Sequence, residues 1–118
     1  MSEHDEQAAF ILWCRQNEDY FPGLWLIHNS LNGVKVSQGQ ARKMKREGML
    51  AGVCDVFLPQ PMKGYHGLYI EFKFGRNWLS ESQERFIKAV EDNGYMVAIA
   101  KSKDEGIQII LEYYGVEQ

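Results

Sequence analysis

The sequence predicts one α/β domain in the order helix, strand, short helix, β-hairpin, helix, strand, helix. Three observations carry this. Short β-rich runs alternate with segments of helical period. Ser80 with Gln83, and Ser102 with Glu105, are capping signatures that each open a helix in the second half of the chain. The 118 residues are enough for one hydrophobic core and too few for two.

Taken in order, Ser2 with Asp5 caps a first helix that runs to about Arg15, with Ala9, Phe10, Leu12 and Trp13 at helical spacing. Phe21-Pro22-Gly23 breaks the chain, and residues 24–28 read as a short strand followed by a turn-rich stretch over 29–33. Residues 37–47 form a short basic helix, which Gly48 stops. Residues 53–58 and 68–73 are β-rich and are separated by a segment containing Pro59, Pro61, Gly64 and Gly67, so they pair as an antiparallel hairpin. The Ser80 helix reaches Asn93 and Gly94 ends it; residues 95–100 are a compact apolar strand. In the last helix Ile107, Ile110, Leu111 and Tyr114 form one apolar stripe.

Composition narrows the function classes. Apolar residues make up 45% and charged residues 25%, as in soluble globular proteins. The acidic, polar opening over 1–7 is not that of a signal peptide, and no run is long enough to span a bilayer. Cys14 and Cys54 lie inside apolar patterns, which argues against a disulfide framework or a thiolate zinc site and fits a reducing cytoplasm. The net charge of −3 hides a basic cluster of Lys35, Arg42, Lys43, Lys45 and Arg46 with no acidic residue among them. Such a run either neutralises nucleic-acid phosphates or is a solvated helix face. There is no Walker-type glycine loop and no dinucleotide fingerprint, so nothing implies a nucleotide cofactor. His28 and His66 are too isolated for a zinc site, and Tyr113 and Tyr114 either stack on bases or belong to the core.

The chemistry concentrates on the hairpin. Side chains alternate along a strand, so Leu68, Ile70 and Phe72 face the core while Tyr69, Glu71 and Lys73 share the opposite face. A hairpin folded about Lys63 sets Asp55 opposite Glu71, because each lies eight residues from it. Two carboxylates and an ammonium then converge. Adjacent carboxylates repel unless a cation lies between them, and an Asp with a Glu opening onto a groove suits a hard divalent ion such as magnesium. A lysine beside them can hold the attacking water and stabilise charge on a phosphate. Glu6 lies on the apolar stripe of the first helix, where it either binds something or favours the helix dipole. Gln83 either caps its helix or reaches back to the strand that carries Glu71.

The glycine-punctuated run over 48–55, the run over 67–73, Leu79 to Gln83, and Asn93-Gly94-Tyr95 together resemble the VRR-NUC branch of the PD-(D/E)XK nucleases, particularly its stand-alone phage and bacterial members. Glu6-Gln7 and the stretch over 28–33 are similar to that family's first helix and following loop, so the resemblance covers nearly the whole chain. It implies a restriction-endonuclease-like core with a central mixed sheet flanked by helices. It also implies hydrolysis of DNA with Mg2+ or Mn2+. On this chain Asp55 and Glu71 would be metal ligands, Lys73 the catalytic lysine, Glu6 a further acidic ligand, the Phe72 carbonyl another ligand, and Gln83 a supporting polar residue. The family's usual proline before the aspartate is Cys54 here, which touches only backbone shape. The resemblance further implies a homodimer acting on branched DNA of the Holliday-junction kind. Three alternatives stay open: the same chemistry on flaps, nicks or RNA; a nucleic-acid-binding module without catalysis; and a structural protein in which Glu71 and Lys73 are an ion pair.

Overall fold

The computed structural model describes residues 3–31 and 36–116. Ser2, part of the 29–33 turn, and Lys35 of the basic cluster lie outside them. Among the described residues four α-helices, α1 (Glu3–Gln16), α2 (Gln38–Arg46), α3 (Glu81–Asp92) and α4 (Lys103–Tyr113), accompany four strands, β1 (His28–Asn29), β2 (Val56–Leu58), β3 (Leu68–Phe72) and β4 (Met96–Ala100). The sheet order is β1-β2-β3-β4. β1 with β2 and β2 with β3 are antiparallel, whereas β3 with β4 is parallel because α3 carries the chain back across the sheet.

The helix starts follow their caps. Ser80 Oγ accepts from the Gln83 amide at 3.2 Å while Gln83 Oε1 accepts from the Ser80 amide at 2.9 Å, satisfying two donors that the first turn leaves free. Ser37 and Gln40 make the same reciprocal pair at the start of α2. Ser102 Oγ accepts from the Glu105 amide at 3.1 Å to open α4.

The strand expected over 24–28 does not form at that length. Residues Leu24–Leu26 make a single 3-10 turn, and only His28–Asn29 pair with β2. Gly23, at φ +75°, turns the chain back on itself, and the Leu26 and Ile27 amides donate to the carbonyls three residues behind. Leu24 and Ile27 are both fully buried, a spacing of three that belongs to the turn rather than to a pleated strand. The Arg15 guanidinium holds this segment to α1 by donating to the carbonyls of Trp25 and Ile27 at 2.8 and 2.7 Å.

The sheet lies between two unequal layers. On one face Phe10, Cys14, Ile110 and Tyr113 from α1 and α4 pack with Val56, Leu58, Leu68, Ile70, Phe72 and Ala100 in one apolar core. The two helices meet where the Phe10 ring lies over Gly106; a Cβ there would fall 2.7 Å from the ring, so only glycine permits the approach. The buried stripe of α4 is therefore Gly106, Ile110 and Tyr113, rotated from the expected Ile107, Ile110, Leu111 and Tyr114. Tyr113 and Tyr114 belong to this packing and donate their hydroxyls to the carbonyls of Gln60 and Pro22. On the other face α3 covers β3 through aromatic contacts: Tyr69 stacks on Phe57 at 4.3 Å and meets the edges of Phe86 and Tyr95.

Candidate active site

The hairpin register is the one its turn residues dictate. Val56 pairs with Ile70, Phe57 with Tyr69 and Leu58 with Leu68, a ladder centred on Lys63, which itself sits in the turn at φ +53°. Continued by one residue, the ladder sets Asp55 opposite Glu71. The two are laced together through backbone: the Asp55 amide donates to Glu71 Oε1 at 3.1 Å, and the Phe72 amide donates to Asp55 Oδ2 at 2.8 Å. Each carboxylate thus holds the other's strand in place.

Glu71 is the buried charged residue of the described chain, at 2% exposure, so its face of the sheet is not open as the strand alternation alone suggested. α3 covers it and supplies a partner: Gln83 Nε2 donates to Glu71 Oε2 at 2.7 Å. Since Gln83 Oε1 simultaneously caps α3, the two readings of Gln83 are two ends of one amide. Lys73 Nζ lies 3.4 Å from the same Glu71 oxygen and keeps partial access to solvent.

Burial, and then the charge of Asp55, push the Glu71 carboxyl up to about 7; the Lys73 ammonium pulls the other way without cancelling them. The lacing and the amide hold the two carboxylates together against that repulsion, which is the condition a cation relieves. Cys54, immediately before Asp55, is buried and its thiol is pushed up to about 12, chiefly by burial, so it stays neutral beside the pair. Cys14 is likewise buried, free and pushed up to about 12.

A cavity of about 220 Å³ opens beside Asp55, lined by Ala51, Gly52, Val53, Asp55, Ser80, Ser82 and Gln83. Gly52 makes it possible. At φ +91° and with a would-be Cβ 2.3 Å from the Ser82 carbonyl oxygen, no other residue lets the 50–53 loop lie against the first turn of α3. The glycine-punctuated run that precedes Asp55 thereby becomes the wall of the site.

The donor set fits a hard divalent cation. Asp55 and Glu71 offer facing carboxylate oxygens, Asp55 lining the cavity itself, and Glu6 Oε2 is buried with no hydrogen-bond partner, an acceptor left unsatisfied. Glu6 stands one turn before Phe10, whose ring lies 5.4 Å from that of Phe72. Among the described residues Glu6 does not join Asp55 and Glu71 in a group of three metal-ligating side chains. The Phe72 amide is committed to Asp55.

The basic residues Arg42, Lys43, Lys45 and Arg46 are all exposed on α2 and form no ion pair among the described residues. Gly48 joins this helix to the 50–53 loop, so the structure places them upstream of the cavity wall rather than in it. His28 pairs in β1 and donates Nδ1–H to the Leu26 carbonyl, and His66 lies against Tyr95. A second, more apolar cavity of about 580 Å³ adjoins the first, sharing Ala51 and Ser82 and adding Leu50, Glu81, Arg85, Phe86 and Ala89. Arg85 was not singled out in the sequence; its only signal there is a cation one turn beyond Glu81 on α3.

A family model for the VRR-NUC domain matches residues 26–104. The chain belongs to the VRR-NUC family. A solved structure described as a VRR-NUC domain protein is 29% identical, with a TM-score of 0.79 over 100% of this chain and 97% of its own. No curated protein matches the chain. The fold is accordingly the restriction-endonuclease-like PD-(D/E)XK core, and a VRR-NUC domain implies a nuclease of that type with DNA as substrate. Such nucleases typically use divalent metals. Among the described residues, no helix is long and apolar enough to cross a membrane.

Proposed function

We propose that this chain, as one domain over 1–118, is a Mg2+- or Mn2+-dependent endonuclease that hydrolyses DNA phosphodiester bonds, selecting branched DNA of the four-way-junction kind and acting as a homodimer. The observation that carries the reading is the reciprocal lacing of Asp55 and Glu71, with Lys73 3.4 Å from Glu71 and Asp55 lining a cavity.

Asp55, Glu71 and the Phe72 carbonyl would hold the cation; Glu6, which does not group with the two carboxylates among the described residues, stands outside that set. A divalent cation held there would supply polarisation of the phosphate and a lowered pKa for the attacking water. The chain's own groups do the rest. Gln83 fixes the Glu71 carboxylate by its amide, so the ligand oxygen is oriented before substrate arrives. Lys73 holds its ammonium beside Glu71, from where it would orient the attacking water and oppose charge gathering on the phosphate. Arg42, Lys43, Lys45 and Arg46, with Lys35, neutralise phosphates of the same strand before it reaches the cavity. A junction offers two symmetric strands, and a two-fold pair of chains supplies two centres.

The test is incubation with labelled four-way junction, flap, nicked duplex, linear duplex and single strand, each with magnesium, manganese or EDTA, beside Glu71→Ala. Metal-dependent cutting, fastest on the junction and absent in the variant, is the expected result. Cutting that prefers flaps or nicks would overturn the substrate assignment alone. Binding without cutting under every metal would make the chain a nucleic-acid-binding module.

A further inference from the structure

Residues 74–79 join the catalytic strand to α3, and both ends of this turn are fixed. Phe74 stacks on Phe72 with ring centroids 6.1 Å apart and planes 12° from parallel, and the Asn77 amide donates to the Phe74 carbonyl at 3.3 Å. At the other end Ser80 is locked in its capping box with Gln83. Trp78 projects from this anchored turn at 87% exposure, higher than any other large apolar side chain among the described residues. Arg76, two residues earlier, is exposed as well.

An indole left in water forgoes one of the largest apolar burials that any side chain offers, so a turn that holds it outward leaves a flat aromatic face available to a partner. Its position says which partner. Trp78 is two residues from Ser80, and a chain spans at most about 7 Å over two residues. Ser80 lines the cavity together with Asp55 and Gln83. Bases along one DNA strand rise about 3.4 Å per step, so that backbone span equals about two steps, and with the reach of the side chain the indole lies within a few nucleotides of a phosphate seated in that cavity. Arg76, on the same turn, and Lys73, just past the end of β3, supply cations for phosphates on one side of the indole, with Glu81 and Glu84 of the α3 first turn on the other, so the surroundings are charged rather than those of an apolar protein interface.

We propose that Trp78 stacks on an unpaired nucleobase of the cleaved strand, within a few nucleotides of the scissile phosphate, and so makes the chain favour DNA whose bases are unstacked near the cut. The proposal rests on the nuclease reading for its substrate. In a continuous duplex both faces of each base are covered by neighbours, so the indole gains a face to stack on only where pairing is interrupted.

The experiment compares wild type, Trp78→Ala and Trp78→Phe on a labelled duplex interrupted by a short single-stranded gap and on the same duplex intact. Binding is read by anisotropy in EDTA and cleavage in manganese. Trp78→Ala should lose about tenfold in affinity and rate on the gapped DNA, with a loss at least several-fold smaller on the intact duplex; Trp78→Phe should recover most of it. An abasic nucleotide placed within a few positions of the mapped cut should slow wild type and leave Trp78→Ala indifferent. Equal losses on both DNAs, or no loss on either, would overturn the proposal. So would a Trp78→Ala chain that sediments as monomer where wild type is a dimer, because the indole would then be seated on a second copy. Wild type that binds gapped DNA but never cuts it would overturn the nuclease reading instead, and the anisotropy arm would still decide the role of Trp78.

Discussion

Glu71 and Phe72 are neighbours in one strand and are almost equally buried, at 2% and 6% exposure, yet burial acts on them in opposite senses. Phe72 points into the α1 and α4 layer, where it packs in the apolar core against Phe10 and removal from water stabilises by about 1.5–3 kcal/mol. Glu71 points into the α3 layer, where removal from water penalises its charge and the facing Asp55 adds to the penalty. One face of the sheet is built for stability. The other accepts a cost in stability to hold a carboxylate pair in place, which is what a site for chemistry requires.

Changes on the two faces should therefore separate stability from activity. The largest effect on stability is expected from Phe10→Ala, which empties the space between Phe72 and Gly106 and should cost about 3–5 kcal/mol in chemical denaturation. That is a large share of the ~5–15 kcal/mol typical of a domain, yet the folded fraction should cut DNA at the normal rate. Lys73→Ala and Asp55→Asn should do the reverse, lowering the cleavage rate by at least about 10²–10³-fold while circular dichroism shows the fold intact. A variant of either kind that cut DNA normally would break the contrast. Gly52→Ala lies between them: strain at φ +91° and the clash with the Ser82 carbonyl should cost about 1–3 kcal/mol and slow cleavage by moving the loop that leads to Asp55.

The smallest effect is the most diagnostic. The Glu71 carboxyl is raised in the folded chain from its ordinary value of 4.5 to about 7, so between those pH values the folded chain holds a proton that the unfolded chain has lost. Stability without metal should then decline as pH rises from about 4.5 to 7 and level off above that, as far as this group is concerned. Thermal midpoints in EDTA check it. Glu71→Gln keeps an acceptor for Gln83 but cannot ionise, and it should remove that part of the decline.

Much of this was legible in the sequence because it followed from local rules. The turn residues around Lys63 implied a hairpin register, and the register implied that Asp55 faces Glu71; the observed ladder has the same centre. The capping pairs at Ser80 and Ser102 marked two helix starts correctly. What escaped depended on tertiary packing. The apolar run from Leu24 fits a strand or a 3-10 turn equally well until Gly23 takes its left-handed conformation. Period-two alternation separated the two faces of β3 but contained no information on whether a helix covers the second, so Glu71 emerged buried rather than open. Gln83 was posed as a choice because sequence names a residue, not the two ends of its amide. Trp78 follows no periodicity at all, and only its exposure beside the cavity gives it meaning.

The central claim is that Asp55 and Glu71 form a cation site and not a structural ion pair with Lys73. The most direct measurement is calorimetric titration of manganese into the wild-type chain and into Glu71→Gln at pH 6, in two buffers of different ionisation enthalpy. The account predicts binding to wild type with release of most of one proton per ion, as the cation displaces the proton that Glu71 holds below about pH 7, and weak or no binding to the variant. Equal affinity in both proteins, without proton release, would contradict it.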